Sequence, residues 1–196
     1  MTRTSAGLAL LLAIILVPLT RVQAQPPAAA GEEPRTRLEA LQETTGAVVL
    51  KEFRRIARIR SSGGFGSVEV TAVELTDVAT GRMQTGLAIE VAETGTLQNS
   101  SRSFVDLEEI EPLLLGLDYV ARVTAADTRL GSFEASYTTG GHFSVSSFGD
   151  PGKRVTAAVR SGQTNPATVA LSRKDLAKLR AAITSAREVL GEAGQP

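Results

Sequence analysis

Apolar residues along this chain recur with two periods, and the switches between them lay out its elements. The clearest alternation runs through Met83, Thr85, Leu87, Ile89 and Val91, with Gln84, Gly86, Ala88 and Glu90 between them. Period two puts one set on one face, so this is a strand. Ahead of it, residues 48–59 read as extended chain, with Val48, Val49, Leu50, Ile56 and Ile59 at apolar positions. Ser61, Ser62, Gly63 and Gly64 turn the chain into a second strand over 67–75. There Val68, Val70 and Ala72 share one parity while Val73 and Leu75 take the other, which predicts a bulge or burial on both faces. Asp77 to Gly81 has hairpin-loop residue types, 94–101 is a polar loop, and Ser103, Phe104 and Val105 make a short fourth strand.

The period then becomes helical. Leu107, Ile110, Leu114, Leu117 and Ala121 share a stripe, with Asp106 as the expected N-cap and Glu109 completing a capping box. Pro112 lies inside, where proline costs about 3 kcal/mol, so a kink or a single turn followed by a restart is expected. A short helix over 38–41 should precede the first strand.

The second half follows the same order. Phe133, Ala135 and Tyr137 alternate up to Gly140 and Gly141, 143–148 returns, Val155, Ala157 and Val159 mark a third strand and 168–171 a fourth. Ser172, with Asp175 three residues on, caps a last helix striped by Leu176, Leu179, Ile183, Ala186 and Leu190 and ended by Gly191. Its charges, Lys174, Lys178, Arg180 and Arg187, should stay solvated. Aligning the caps Asp106 and Ser172 brings Ile110 onto Leu176, Leu113 onto Leu179 and Leu117 onto Ile183. The expected class is α+β: antiparallel sheet with helices on one face, in one domain over 38–192 whose halves, 47–124 and 130–191, share a strands-then-helix order, either by duplication or as two similar solutions to covering a sheet with a helix.

The N-terminus changes the picture of location. Arg3 precedes an apolar run over 8–17, Pro18 breaks it, and Val22, Gln23 and Ala24 suit a signal peptidase, so 1–24 reads as a cleaved signal peptide. A spanning helix needs about 20 apolar residues, and Pro18, Thr20 and Arg21 interrupt this one; no later segment has the length. Residues 25–37 read as a flexible Pro/Ala/Gly/Glu linker and 193–196 as a tail. The expectation is an exported protein, periplasmic or secreted, meeting an envelope or extracellular partner.

Composition narrows the chemistry. In 196 residues, 21 basic and 21 acidic side chains cancel, and loss of Arg3 and Arg21 with the signal leaves a slight acidic excess, which argues against a nucleic-acid partner. With no Cys there are no disulfides or thiolate metal sites, and with one His no multi-histidine site within the chain, so neither cofactor nor metal is implied. Aromatics make up 4% with no Trp, which is poor material for base stacking.

The runs AVVLKEFRRIARI, SFVDLEEIEPLLLGLDYVARV, FEASYTTGGHFSVSSFG and ALSRKDLAKLRAAI resemble a group of exported bacterial proteins of unassigned function, over most of residues 38–190. Two strands-then-helix units are also similar in layout to Whirly and PC4-like single-strand nucleic-acid binders, a likeness of element order that assigns no residue a role.

Four features invite a chemical reading. His142, sharing strand parity with Ser144 and Ser146, is the imidazole any histidine-dependent hydrolase would need, but no strand–Ser–helix elbow is present. Asp106, Glu108, Glu109 and Glu111 are better explained as favourable charge at a helix start than as a cation or acid/base cluster. Gly63, Gly64 and Gly66 precede a strand, not the helix a phosphate loop requires. Arg54, Arg55, Arg58 and Arg60, with Lys51, form the one dense basic stretch; on a regular strand Arg54, Arg58 and Arg60 share a face that could hold a polyanion or protect an edge. The leading expectation is a non-catalytic binding or structural domain; the alternatives are a hydrolase using His142 and a polyanion or single-strand nucleic-acid binder using the arginine stripe.

Overall fold

The computed structural model describes residues 36–95 and 98–193. The expected signal peptide, nearly all of the expected linker and the last three residues of the tail lie outside them. The elements, in order, are α1 (Arg37–Gln42), β1 (Val49–Arg60), β2 (Gly66–Asp77), β3 (Met83–Glu93), β4 (Ser100–Asp106), α2 (Ile110–Arg122), β5 (Phe133–Thr138), β6 (Ser144–Gly149), β7 (Thr156–Ser161), β8 (Ala167–Leu171) and α3 (Arg173–Ala193). Four-stranded meanders form two antiparallel sheets, β1-β2-β3-β4 and β5-β6-β7-β8, each followed by a helix. The class is α+β, with the two strand groups the patterning predicts.

The helices trade places between halves. α3, the helix of the second half, packs on β1 and β2, while α2, the helix of the first, packs on β5 and β6; the two helices touch each other, and the sheets meet through β3 against β7 and β8. One core results. Val68, Val70, Leu87, Ile89 and Val105 of the first sheet and Val145, Val159 and Val169 of the second are buried in it with the stripes of both helices. Ile110, Leu113 and Leu117 are buried there as are their counterparts Leu176, Leu179 and Ile183.

A smaller core lies on the other face of the first sheet. Leu38 and Leu41 of α1 bury against Val73, Leu75, Ala88 and Phe104. The parity switch in β2 is therefore burial on both faces, and the bulge sits in the neighbouring strand: Arg55 opposes Thr71 but Ala57 opposes Val70, leaving Ile56 as the extra residue.

Local chemistry departs from expectation in three places. Thr36 and Arg37 belong to the structured domain: Thr36 caps α1 in a capping box with Glu39. Asp106 does not cap α2; its carboxylate accepts the amides of Arg37 (2.8 Å) and Leu38 (3.1 Å). A helix of six residues is unstable alone, so its free amides are met by a residue from β4. Finally, Gly191 does not end α3, which continues to Ala193. Pro112 is accommodated as a single 3-10 turn, Leu107–Glu109, before the helix begins at Ile110, which places the proline in the first turn where no amide donor is needed.

Candidate functional site

The bulge at Ile56 decides which arginines act together. Directly opposed residues of an antiparallel pair share a face, so the extra residue reverses the parity of β1. Arg55, opposite Thr71, and Arg58 and Arg60, opposite Glu69 and Ser67, stand on the α1 side of the sheet; Arg54, opposite Ala72, stands on the α3 side. The stripe of Arg54, Arg58 and Arg60 expected for a regular strand is therefore corrected: Arg54 leaves it and Arg55 joins. Arg54 lines a separate groove with Glu52, Glu74 and the end of α3 at Val189 and Leu190. β1 is also an edge strand, where charge and a bulge discourage further pairing.

On the α1 side, register builds transverse rows. Arg58, Glu69, Glu90 and Arg102 line up across β1 to β4, and the next row holds Arg55, Thr71, Ala88 and Phe104. The two adjacent glutamates would repel, and an arginine answers each: Arg55 Nε lies 2.9 Å from Glu69, Arg102 Nη2 2.6 Å from Glu90. Beyond these rows α1 covers the sheet. Between α1 and the charged row lies an uncovered groove of about 540 Å³, floored by Val73, Ala88 and Thr71 and rimmed by Lys51, Phe53 and Arg102.

Among the described residues Lys51 is the cation of this groove without a carboxylate partner. Its ammonium stands 3.2 Å from Gln42 Oε1 at the end of α1 and 5.5 Å from the centre of the Phe104 ring. Burial, reinforced by the positive charge of Arg102, lowers its pKa from the usual lysine range. Phe53 is 70% exposed, a large ring left in solvent at the rim. The sequence flagged Lys51 and Arg55 by local density, but gave no sign of Phe53 or Arg102. Pairing the fourth strand back onto the third would have found Arg102, because that register sets it opposite Glu90.

The other chemical candidates separate. His142 lies in the β5–β6 turn, not the strand, with a φ of 60°, and its Nε2 is buried without a hydrogen-bond partner among the described residues. No hydrogen bond joins it to Ser144 or Ser146, so the nucleophile–base contact a Ser–His pair requires is not made. The four carboxylates around the start of α2 have four destinations: Asp106 serves α1, Glu108 pairs with Arg37, Glu109 accepts the Gly140 amide and Glu111 pairs with Arg187. Among the described residues no cluster of His, Cys, Asp and Glu could hold a metal ion, and no helix is long and apolar enough to cross a membrane. The glycines after β1 form the expected turn, closed by the Ser61 amide on the Gly66 carbonyl at 2.9 Å.

No protein-family model matches the chain, nor does any curated protein or solved structure.

Proposed function

We propose that the chain is an exported, non-catalytic binding domain, periplasmic or secreted, whose ligand lies in the groove beside α1 on the first sheet. The observation that carries this reading is Lys51: a half-buried ammonium over an apolar floor that makes no ion pair among the described residues, the groove's Glu69 and Glu90 being held by Arg55 and Arg102. Such a cation favours an incoming anion more than a solvated lysine does, because the groove screens it less. Val73, Ala88 and the exposed Phe53 ring suit an apolar body. The ligand class is therefore a small molecule or chain end with one carboxylate or sulfonate and an apolar or aromatic portion. Arg55 and Arg102 are already engaged by Glu69 and Glu90, which argues for one anionic group and not several.

Export is supported by the first 24 residues, with their basic start, apolar run and small-residue site. The binding reading is tested with anilinonaphthalene sulfonate, an aromatic sulfonate whose fluorescence rises in apolar surroundings. Saturable binding that weakens about tenfold in both Lys51→Gln and Phe53→Ser, with unchanged melting temperatures, is the expected result. Equal titrations for wild type and both variants would remove the groove as a ligand site.

A further inference from the structure

A second positive surface arises where two basic doublets, far apart in sequence, meet. Lys153 and Arg154 follow the turn after β6, and Arg173 and Lys174 open α3. All four line one cleft of about 910 Å³, together with Ser62 and Thr124. One carboxylate, Asp150, also lines it, and that group is committed: it pairs with Lys153 at 3.0 Å and accepts from Ser132 at 2.9 Å. Arg154, Arg173 and Lys174 make no ion pair or hydrogen bond with any side chain among the described residues.

The helix start is not what attracts an anion here. Asp175 and Ser172 already occupy the first turn of α3, with the Asp175 amide on Ser172 Oγ at 3.2 Å and the Ser172 hydroxyl on Asp175 at 2.7 Å. The attraction belongs to the side chains. In a chain whose formal charges sum to zero, three unpaired cations around one cleft repel each other unless a counter-charge joins them. Two are guanidiniums, which match the paired oxygens of phosphate and sulfate. They come from two separate segments, so a ligand with several anionic groups can engage both.

We propose that this cleft is a binding site for a small soluble polyanion carrying two or more phosphate or sulfate groups. It is independent of the groove beside α1 and of the single-anion ligand proposed there. The test is calorimetric titration of the full chain with tripolyphosphate and, separately, with a trisulfated disaccharide, in about 0.1 M salt so that diffuse charge effects are screened. The expected result is saturable one-to-one binding of at least one probe. The double variant Arg154→Gln/Arg173→Gln should weaken it at least tenfold, and Lys174→Gln should weaken it less. Arg82→Gln, an equally exposed charge in the β2–β3 turn, should leave it unchanged. All four positions are exposed, and unchanged melting curves confirm that the variants fold. Absence of saturable binding for both probes, or equal losses from Arg82→Gln and the double variant, would overturn the proposal. Binding of vesicles containing phosphatidylglycerol while both soluble probes fail would overturn it too, since a membrane surface would then be the ligand.

Discussion

Asp106 Oδ1 accepts the backbone amide of Leu38 at 3.1 Å, joining the end of β4 to the first turn of α1 across 68 positions of sequence. The second oxygen takes the Arg37 amide, and Thr36 takes that of Glu39. Three of the amides that a helix start leaves open are thereby met, two of them by one buried carboxylate. Asp106→Ala should leave those donors unpaired at a cost of about 1–3 kcal/mol. The loss should fall on α1 and on Lys51, which bonds Gln42 at the end of α1, not on the main core. Hydrogen exchange would show this as faster exchange over 37–42 with α3 unaffected; uniform acceleration throughout the domain would show that α1 is not a separate unit.

A second carboxylate ties the halves together. Asp175 is fully buried and accepts from the Ser62 amide (3.0 Å), the Ser62 hydroxyl (2.7 Å) and Ser172. Burial by itself raises its pKa, but the bonds from Ser62 and Ser172, with help from Lys178, outweigh it and hold the group well below the ordinary carboxylate range. A pKa depressed by folding gives stability that is present in full above the unfolded value, about 3.9, and lost as pH falls toward the folded one. Wild-type stability should therefore decline below about pH 4, and Asp175→Asn should be less stable at neutral pH with a shallower acid slope. Denaturant melts at pH 7 and pH 3 test this; parallel acid slopes for the two proteins would contradict it.

Two helical glycines should respond to alanine with opposite signs. Propensity alone favours Ala over Gly by about 1 kcal/mol in a helix interior. At Gly191, near the end of α3, an added Cβ meets nothing within 4 Å, so Gly191→Ala should stabilise by a few tenths to about 1 kcal/mol. At Gly116 the Cβ would run into Cγ and Cβ of Tyr137, atoms too close to the β5 backbone to swing aside. Gly116→Ala should lose more through this overlap than it gains in propensity, costing about 1–3 kcal/mol. Thermal melts of the pair settle the signs.

What could be read from the sequence follows from how local each feature is. The alternation through Leu87, Ile89 and Val91 and the stripe from Leu176 to Leu190 are spaced by the geometry of their own strand or helix, and the structure places them accordingly. The two strand groups, each followed by a helix, were legible for the same reason, since each half carries its own local pattern. The placing of each helix on the other half's sheet was not, because an apolar stripe such as that of Leu113 or Leu179 states that a sheet is covered and not which one. Asp106 and Glu109 have capping-box spacing, yet their partners are Leu38 and Gly140; spacing states that a cap is available and not which helix uses it. The bulge at Ile56 carries no composition signal, and one residue of shift was enough to reassign Arg54 and Arg55. The cationic cleft was hidden because its doublets, at 153–154 and 173–174, are unremarkable until folding brings them together.

The contact between the two helices offers the sharpest comparison of apolar and charged contributions. Sequence patterning leaves Arg180 in solvent, but its guanidinium makes a two-pronged contact with Asp118 of α2, with Nε at 2.5 Å and Nη2 at 2.8 Å. That contact holds the Asp118 pKa low and the Arg180 pKa high. Arg187 and Glu111 pair one step along, so two ion pairs stitch α3 to α2 in antiparallel sense. Both partners of the Arg180 pair are more than a third exposed, and pairs in that setting contribute roughly 0.2–1 kcal/mol. Leu179, by contrast, is fully buried in the common core, where truncation to Ala removes transfer energy and leaves a cavity, costing about 2–5 kcal/mol. Leu179→Ala should therefore destabilise several-fold more than Arg180→Ala in denaturant melts. A double-mutant cycle of Arg180→Ala with Asp118→Ala should return a coupling of about 0.2–1 kcal/mol that shrinks as salt is added. A coupling near zero at low salt would mean that the charges serve solvation alone, and a coupling as large as the Leu179 effect would mean that the helix pair is held by its ion pairs instead of its apolar seam.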